Sequence, residues 1–256
     1  MIASPMAATW DAARPETSWF DPFFLTMAPP AVRALKESLA NEDAPRARLL
    51  HFGCGAGQKT ETLRRLGFDV VGIDLDCELL DRARSKYPHA RFVRADMQDL
   101  PFGAGTFDAV FSFSTLQLVR DKARVIAEAA RVLVPGGRAA FIENLRGSPL
   151  ARGYRAMHRA LGLRYRAYET PTRHLDLSET ALFERDFEEV RTALFHLTTP
   201  LTLVLPAIAQ RLWAQPIHVQ SEAAYRVLAK VDQVAFRFAP MRRFAWHVVA
   251  TMRRRK

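Results

Sequence analysis

The stretch LLHFGCGAGQKT (49–60) is an apolar run that ends in glycines at alternate positions and then turns polar. This pattern is typical of a buried β-strand that leads through a tight turn into a helix, where a ligand can approach the bare backbone closely. Two kinds of ligand are compatible with such a turn: a dinucleotide, which presents phosphates, or a smaller cofactor that carries adenosine. Residues further along the chain must distinguish them.

Around this turn, short apolar runs alternate with segments of helical periodicity. The predicted strands are 47–53, 68–74, 90–96, 107–113 and 137–143, and the predicted helices are 31–40, 59–67, 76–87 and 122–133. This alternation predicts right-handed crossovers and a mostly parallel sheet. Ligands bind such sheets outside the carboxyl ends of the strands, so the residues at the strand ends are the site candidates. They are Gly53, Asp74, Asp96, Ser112 and Glu143.

The ends of the first three strands favour the smaller cofactor. A dinucleotide fingerprint that begins at Gly53 requires a third glycine at position 58, where the chain has Gln58. Asp74 suits the two hydroxyls of a ribose, which both kinds of ligand contain. At the end of the third strand, Asp96 can accept a hydrogen bond from an adenine amine, and Met97 can cover the ring. Successive strand ends therefore predict binding of successive parts of one nucleoside.

Five segments in unbroken order resemble the motifs of class I S-adenosylmethionine-dependent methyltransferases, especially the branch that acts on small molecules. They are HFGCGAG, VVGIDLD, RADMQDLPF, FDAVFSFSTLQLVRD and EAARVLVPGGRAAFIE. The resemblance implies an α/β fold, a Rossmann-like three-layer sandwich with a mostly parallel seven-stranded sheet, one antiparallel strand and helical lid insertions. Residues 187–197 and 244–254 suit the last two strands of that sheet.

The resemblance also implies S-adenosylmethionine as the cofactor. Its methionine part would lie along Gly53, Cys54, Gly55 and Gly57, its ribose at Asp74 and Leu75, its adenine at Asp96 and Met97, and its sulfonium near Ser112 and Gln117. His51 departs from the family, which usually has a carboxylate at this position. Two interpretations of His51 stay open: simple packing at the strand end, or a water-mediated contact with the amino group of the cofactor.

The sequence predicts an N-terminal flap, residues 1–30, and a methyltransferase domain, residues 31–256, with lid insertions at about 145–175 and 198–243. The formal net charge of +10 lies entirely in residues 144–256, which contain 19 Lys and Arg against 9 Asp and Glu. Arg152, Arg155 and Arg159 share one face of a predicted helix. This half of the chain is expected to meet an anionic group, unless its cations are only solvated.

The expected activity is in-line transfer of a methyl group to a small or medium-sized, largely apolar metabolite, including anionic or lipid-linked ones, as in natural product biosynthesis. An alternative is methylation of an acyl group on a carrier protein, or of another macromolecule, docked by the basic lid. A protein that keeps the fold without methylating is a third hypothesis. His174 and His158 are the candidate general bases, whereas His196 and His247 fall in predicted strands and are interpreted as structural.

Cysteine content and hydropathy limit the cellular compartments and partners that we expect for the protein. Cys54 and Cys77 fit a reducing compartment and give no metal-ligand spacing, so we expect a cytoplasmic protein without a metal. No apolar run reaches the roughly 20 residues that a membrane span needs, while peripheral contact with a membrane stays open. The basic residues match no nucleic-acid-binding module, so no nucleic acid partner is expected. The oligomeric state is left open.

Overall fold

The computed structural model describes residues 21–36, 46–160, 173–198 and 222–256. Its helices are α1 (Asp21–Lys36), α2 (Gln58–Arg65), α3 (Cys77–Lys86), α4 (Lys122–Val132), α5 (Pro149–Ala160), α6 (Glu222–Ala235) and α7 (Ala239–Arg242). Its strands are β1 (Arg48–Phe52), β2 (Asp69–Asp74), β3 (Arg91–Arg94), β4 (Phe107–Phe113), β5 (Leu133–Asn144), β6 (Phe187–Phe195) and β7 (His247–Arg254). In the described residues, 3₁₀ helices cover Leu116–Leu118 and Leu177–Arg185.

The seven strands form one sheet in the order β3-β2-β1-β4-β5-β7-β6. The first five strands pair in parallel, and β7 is antiparallel to both of its neighbours, β5 and β6. The carboxyl ends of the six mutually parallel strands therefore lie along one edge of the sheet. The prediction of a seven-stranded, mostly parallel sheet with one inserted antiparallel strand is confirmed.

Helices cover both faces of the sheet, and consecutive residues of β1 enter opposite layers of the core. Leu49 belongs to the layer that contains Leu35 of α1 and Leu63 of α2. Leu50 belongs to the layer that contains Ile126 of α4. Because both faces are buried, β1 is apolar without alternation, which is typical of a central parallel strand.

Local signals in the sequence fix several element ends. The Asp76 carboxylate accepts from the backbone N–H groups of Glu78 and Leu79, so Asp76, the first residue of the predicted helix 76–87, is the N-cap of α3. Strand β4 has the predicted bounds, and the other predicted ends in this part of the sheet differ by a few residues. The predicted last strands, 187–197 and 244–254, are shorter in the structure, because β6 ends at Phe195 and β7 begins at His247.

The structure differs from the prediction of a flap that extends to residue 30. Residues 21–30 are the first part of α1, and the buried side chains of Met27, Ala31 and Leu35 form one stripe along that helix. Pro29 and Pro30 are a local signal against a helix, since proline removes a helix hydrogen bond. The burial of this stripe against the sheet outweighs that signal. The rest of the predicted flap, residues 1–20, lies outside the described residues.

The predicted lid insertions are described in part. Helix α5 lies in the first insertion, and α6 and α7 lie in the second. Arg152 is exposed on α5, whereas the side chains of Arg155, His158 and Arg159 lie outside the described part of the chain. Among the described helices, none has the length and apolar composition to cross a membrane.

Candidate active site

The glycine-rich turn after β1 brings the backbone to the carboxyl edge of the sheet. Gly53 and Gly55 both have positive φ angles, 62° and 52°. A Cβ on Gly53 would stand 2.1 Å from Cγ2 of Thr115, so the loop after β4 presses directly on the turn. A Cβ on Gly55 would meet none of the described residues within 4 Å. Gly55 therefore faces open space, where a ligand can reach the backbone.

The Asp74 carboxylate joins the ends of β1 and β2. Its Oδ2 accepts from the Gly55 N–H at 2.8 Å, and its Oδ1 accepts from the Asp76 N–H at 3.0 Å. Each carboxylate oxygen has two lone pairs, so both oxygens keep capacity for a further donor such as a sugar hydroxyl. The neighbouring Leu75 is 55% exposed, which is a large exposure for an apolar side chain next to a core strand. The site therefore combines a fixed acceptor with an uncovered apolar surface.

The loop after β3 presents a second carboxylate. Asp96 Oδ1 accepts from the Gln98 N–H at 2.8 Å, and Gln98 Oε1 accepts from the Asp121 N–H at 3.3 Å. Met97 is half-buried and packs against the main core cluster. These contacts tie the loop to the start of α4 and hold Asp96 in place at the sheet edge.

The end of β5 contributes a buried carboxylate, Glu143, to which the sequence reasoning gave no role. Its Oε1 accepts from Ser112 Oγ at 3.1 Å and from the N–H groups of Thr115 and Leu116, both at 3.2 Å. Thr115 is the residue that packs on Gly53, so Glu143 fixes the loop that shapes the glycine turn. An acid at a strand end was the signal that could have indicated this role.

Ser112 lies deeper than a surface ligand position. Its side chain is fully buried, and its Oγ lies 2.5 Å from Thr115 Oγ1 in addition to the contact with Glu143. Gln117 lies nearer the edge, where its Oε1 accepts from Asn144 Nδ2 at 3.3 Å. Contacts of Ser112 and Gln117 with the cofactor stay predictions.

Burial raises the pKa of Glu143 to about 7, and the backbone hydrogen bonds from Leu116 and Thr115 offset part of this rise. Between the ordinary pKa of a glutamate and this value, the folded chain holds a proton that the unfolded chain has lost. The free energy of unfolding should therefore fall as the pH rises through this window, by about 3 kcal/mol from this group. We expect Glu143→Gln, which cannot titrate, to flatten this part of the stability curve.

Denaturant unfolding of the wild type and Glu143→Gln at several pH values between 4.5 and 8 measures this difference. The exposed Glu184, changed to glutamine in the same way, is the matched control and should leave the pH dependence as in the wild type. Parallel curves for the wild type and Glu143→Gln would contradict the assignment of the raised pKa to Glu143.

His51 is a neutral core residue at the end of β1. Its Nδ1 lies 2.8 Å from Thr60 Oγ1, and its ring packs against Phe111. Burial, with a smaller contribution from Lys59, lowers the pKa of His51 to about 3. The His51 ring is buried beneath the turn, which supports the interpretation that it packs at the strand end. A water-mediated contact with a cofactor remains a prediction.

Three histidines lie near the carboxyl ends of β5 and β6. His174 is half-buried, between Arg173, whose N–H donates to the Gln117 carbonyl, and Leu175, which bridges to Leu145. His196 and His247 are buried with their Nδ1 atoms 2.8 Å apart, and burial lowers the pKa of both rings, that of His247 to about 3. Their mutual contact favours the structural interpretation. The backbone on either side of His174 is held at the carboxyl end of β5, and its role as a base stays a prediction.

The residues at this edge fit S-adenosylmethionine. Gly55 opens the backbone, Asp74 offers acceptors for ribose hydroxyls, and Leu75 offers an apolar surface that nothing in the described chain covers fully. Cys54 is buried, and burial raises the pKa of its thiol, so it is an inert packing residue rather than a nucleophile. Within the described residues, no group of three or more His, Cys, Asp or Glu side chains is arranged to hold a metal.

Comparison with known proteins agrees with this geometry. The family model "Methyltransferase domain" matches residues 50–141. An uncharacterized methyltransferase of Synechocystis sp. is 36% identical over 102 residues, which cover 39% of this chain and 48% of that protein. The malonyl-[acyl-carrier protein] O-methyltransferase of Salmonella typhimurium is 32% identical over 102 residues, 40% of this chain and 41% of that protein. The alignments thus span less than half the length of these curated relatives.

A solved structure extends the likeness of fold beyond the aligned segment. Phosphoethanolamine N-methyltransferase 2 of Haemonchus contortus, in complex with S-adenosyl-L-methionine, superposes with a TM-score of 0.58 over 89% of this chain and 53% of that chain, at 14% identity. The sheet order, the glycine turn and the matched domain are mutually consistent. Residues 50–141 match the methyltransferase domain, and the fold of the described chain is that of the class I S-adenosylmethionine-dependent methyltransferases.

Proposed function

We propose that the protein transfers a methyl group from S-adenosylmethionine to a small or medium-sized, largely apolar metabolite. The observation that carries this proposal is the contact between Asp74 and the Gly55 N–H, which holds a ribose acceptor beside an open backbone edge. The exposed Leu75 supports an adenosine ligand at this edge. A cytoplasmic location and a role in natural product biosynthesis belong to the same proposal.

When bound, the cofactor supplies a methyl group on a sulfonium, an electrophile that needs no metal. The residues of this chain would bind and orient it: Gly53, Gly55 and Gly57 along the methionine part, Asp74 at the ribose, and Asp96 with Met97 at the adenine. The loop fixed by Glu143 would then hold the acceptor in line with the methyl group and exclude water.

His174 is our proposed acceptor for the substrate proton, with His158 on α5 as the other candidate. His174 follows Arg173, whose N–H donates to the Gln117 carbonyl, and a histidine works as a base near neutral pH. A phenol or carboxylate substrate ionises readily and would make little use of such a base, whereas an alcohol or amine would depend on it. The effect of His174→Gln on turnover thus reports the class of acceptor.

The test of the proposed function is an incubation of the protein with methyl-labelled S-adenosylmethionine and a cell extract separated by molecular size. We expect the label in low-mass, organic-soluble products, which mass spectrometry identifies. The Asp74→Asn variant, which should bind the cofactor far more weakly, is the control for background labelling. Cofactor binding without any labelled product in any fraction would contradict the proposal.

A second candidate function is methylation of an acyl group on a carrier protein. The similarity to the malonyl-[acyl-carrier protein] O-methyltransferase and the exposed Arg152 on α5 support it. The same incubation distinguishes the two, because label would then appear in the protein fraction and be released by cleavage of the carrier thioester. Replacing Arg152 with glutamate would weaken transfer to an acidic carrier more than transfer to a small molecule.

A further inference from the structure

Helix α6 has apolar side chains on two opposite faces. On the inner face, Phe236, just beyond the helix, joins the main core cluster, and Asp232 accepts from the N–H groups of Leu197 and Thr198. On the outer face, Val227, Val231 and Val234 are 60%, 48% and 57% exposed. Helices in globular proteins normally carry one apolar face toward the core, so the outer face calls for a partner of its own.

The outer valines form a continuous stripe. Positions 227, 231 and 234 are spaced i, i+4 and i+7, which places them on one side of a helix. Phe238, just beyond the end of α6, is 66% exposed and extends the apolar surface toward α7. Such a stripe is larger than the single exposed apolar residues that occur on any protein surface.

Among residues 227–243, the exposed charged side chains are all positive. Lys230 and Arg237 are exposed beside it, and Arg242 and Arg243 follow on the next turn of chain. Between residues 227 and 243 the one carboxylate is Asp232, which is fully buried. Lys230 and Arg237 form no ion pair with any residue that the structure describes. The surface therefore combines apolar contact area with positive charge that no described carboxylate pairs with.

We propose that this surface, formed by Val227, Val231, Val234, Phe238, Lys230 and Arg237, docks on an anionic lipid bilayer. A helix with one apolar stripe flanked by cations binds in the plane of a membrane, with the apolar side chains among the acyl chains and the cations at anionic headgroups. The inference goes beyond the proposed function, because it concerns where the protein sits and not what it methylates.

Charge favours a bilayer over a second copy of the chain. A symmetric dimer through this face would bring the same cations, Lys230 and Arg237, toward those of the other copy without a carboxylate between them. Repulsion between these groups opposes such a pairing. An anionic bilayer satisfies both the apolar stripe and the cations.

The surface belongs to a helix at the same edge of the sheet as the candidate active site, next to the last strand in the sheet order, β6. Gln233 Nε2 donates to the Leu194 carbonyl at 2.8 Å, and Asp232 binds the chain just after β6, so α6 is tied to the carboxyl end of that strand. The register places Phe195 and Asn144 on either side of His247, at the edge that carries the site. Docking through α6 would therefore bring this edge close to the bilayer, where an apolar acceptor partitions.

Vesicle co-sedimentation tests the proposal with two lipids, phosphatidylcholine alone and phosphatidylcholine mixed with phosphatidylglycerol. We expect binding to the mixed vesicles, little binding to phosphatidylcholine alone, and a loss of binding as salt is added. Val231→Asp, which places a charge in the stripe, and the double variant Lys230→Glu/Arg237→Glu should each weaken binding roughly tenfold or more. The double variant changes only exposed groups, so it keeps the test valid if Val231→Asp fails to fold.

Two matched control variants lie near the other end of the sheet. Leu66→Asp changes an exposed apolar residue after α2, and Lys86→Glu changes an exposed cation at the end of α3. Both should bind vesicles as the wild type does. Equal binding to both lipids, or equal losses in the controls, would overturn the proposal. Self-association of the wild type that Val231→Asp abolishes would also overturn it. The same holds if Val231→Asp lowers the unfolding temperature but leaves vesicle binding unchanged.

Discussion

Replacing Asp74 with asparagine is expected to weaken binding of S-adenosylmethionine roughly 100-fold. Both carboxylate oxygens already accept backbone hydrogen bonds, from Gly55 and Asp76, and the same oxygens would accept the ribose hydroxyls. An asparagine keeps the shape but presents an NH₂ group to one of these donors, so two donors face each other. The change therefore removes a charged acceptor and also disturbs the glycine turn.

Calorimetric titration with S-adenosylmethionine and with its demethylated product measures this loss without any knowledge of the acceptor. Asp81→Asn is the matched control, since Asp81 is an exposed aspartate on α3 whose hydrogen-bond partner is Arg84. We expect the control to bind as the wild type does. If Asp74→Asn binds S-adenosylmethionine as tightly as the wild type, measured well below the unfolding temperature of the variant, Asp74 does not contact the cofactor.

The parallel sheet was predictable because each of its signals is local. The apolar strand β1, the Asp76 cap and the run that becomes β4 each act within a few residues, so the sequence displays them directly. The same holds for Asp74, whose position depends on one strand end. Local patterns therefore predicted the fold and the residues that most directly suggest a cofactor.

What could not be predicted depends on contacts between distant parts of the chain. Pro29 and Pro30 argue against a helix locally, and only the burial of Met27 and Leu35 against the sheet explains why α1 continues through them. The role of Glu143 likewise arises from a loop 27 to 31 residues earlier in the chain. No spacing rule connects these residues, because the sheet brings them together.

The site thus rests on a chain of contacts that runs from β5 to β1. Glu143 binds the backbone of Thr115, and Thr115 packs on Gly53, whose turn leads to Gly55 and Asp74. A change at one end of this chain is expected to move the other end. The two glycines allow this to be tested, because one faces protein and the other faces open space.

Gly53→Ala should destabilise the fold by about 2–4 kcal/mol. The new Cβ would stand 2.1 Å from Cγ2 of Thr115 in a backbone conformation with φ of 62°. Thr115→Ser removes that methyl group and keeps the hydroxyl that contacts Ser112, so the double variant should recover part of the loss. Denaturant unfolding of the four proteins gives the coupling free energy, which should be about 1 kcal/mol or more. Strictly additive effects would show that Thr115 does not restrict Gly53.

Gly55→Ala should act mainly on the cofactor: we expect a smaller loss of stability than in Gly53→Ala and a large loss of affinity for S-adenosylmethionine. The Cβ added at Gly55 would lie more than 4 Å from any non-neighbouring atom of the described residues, so the expected cost to folding is that of the positive φ, about 1–2 kcal/mol. Gly67→Ala is the matched control, because Gly67 also has a positive φ and open surroundings but lies at the end of α2, away from the site. Calorimetry should show that Gly55→Ala binds the cofactor at least tenfold more weakly than the wild type. Gly67→Ala should bind it with the affinity of the wild type. If both variants bind S-adenosylmethionine equally well, the cofactor does not lie over this turn, because the methyl group added at Gly55 does not contact the bound cofactor.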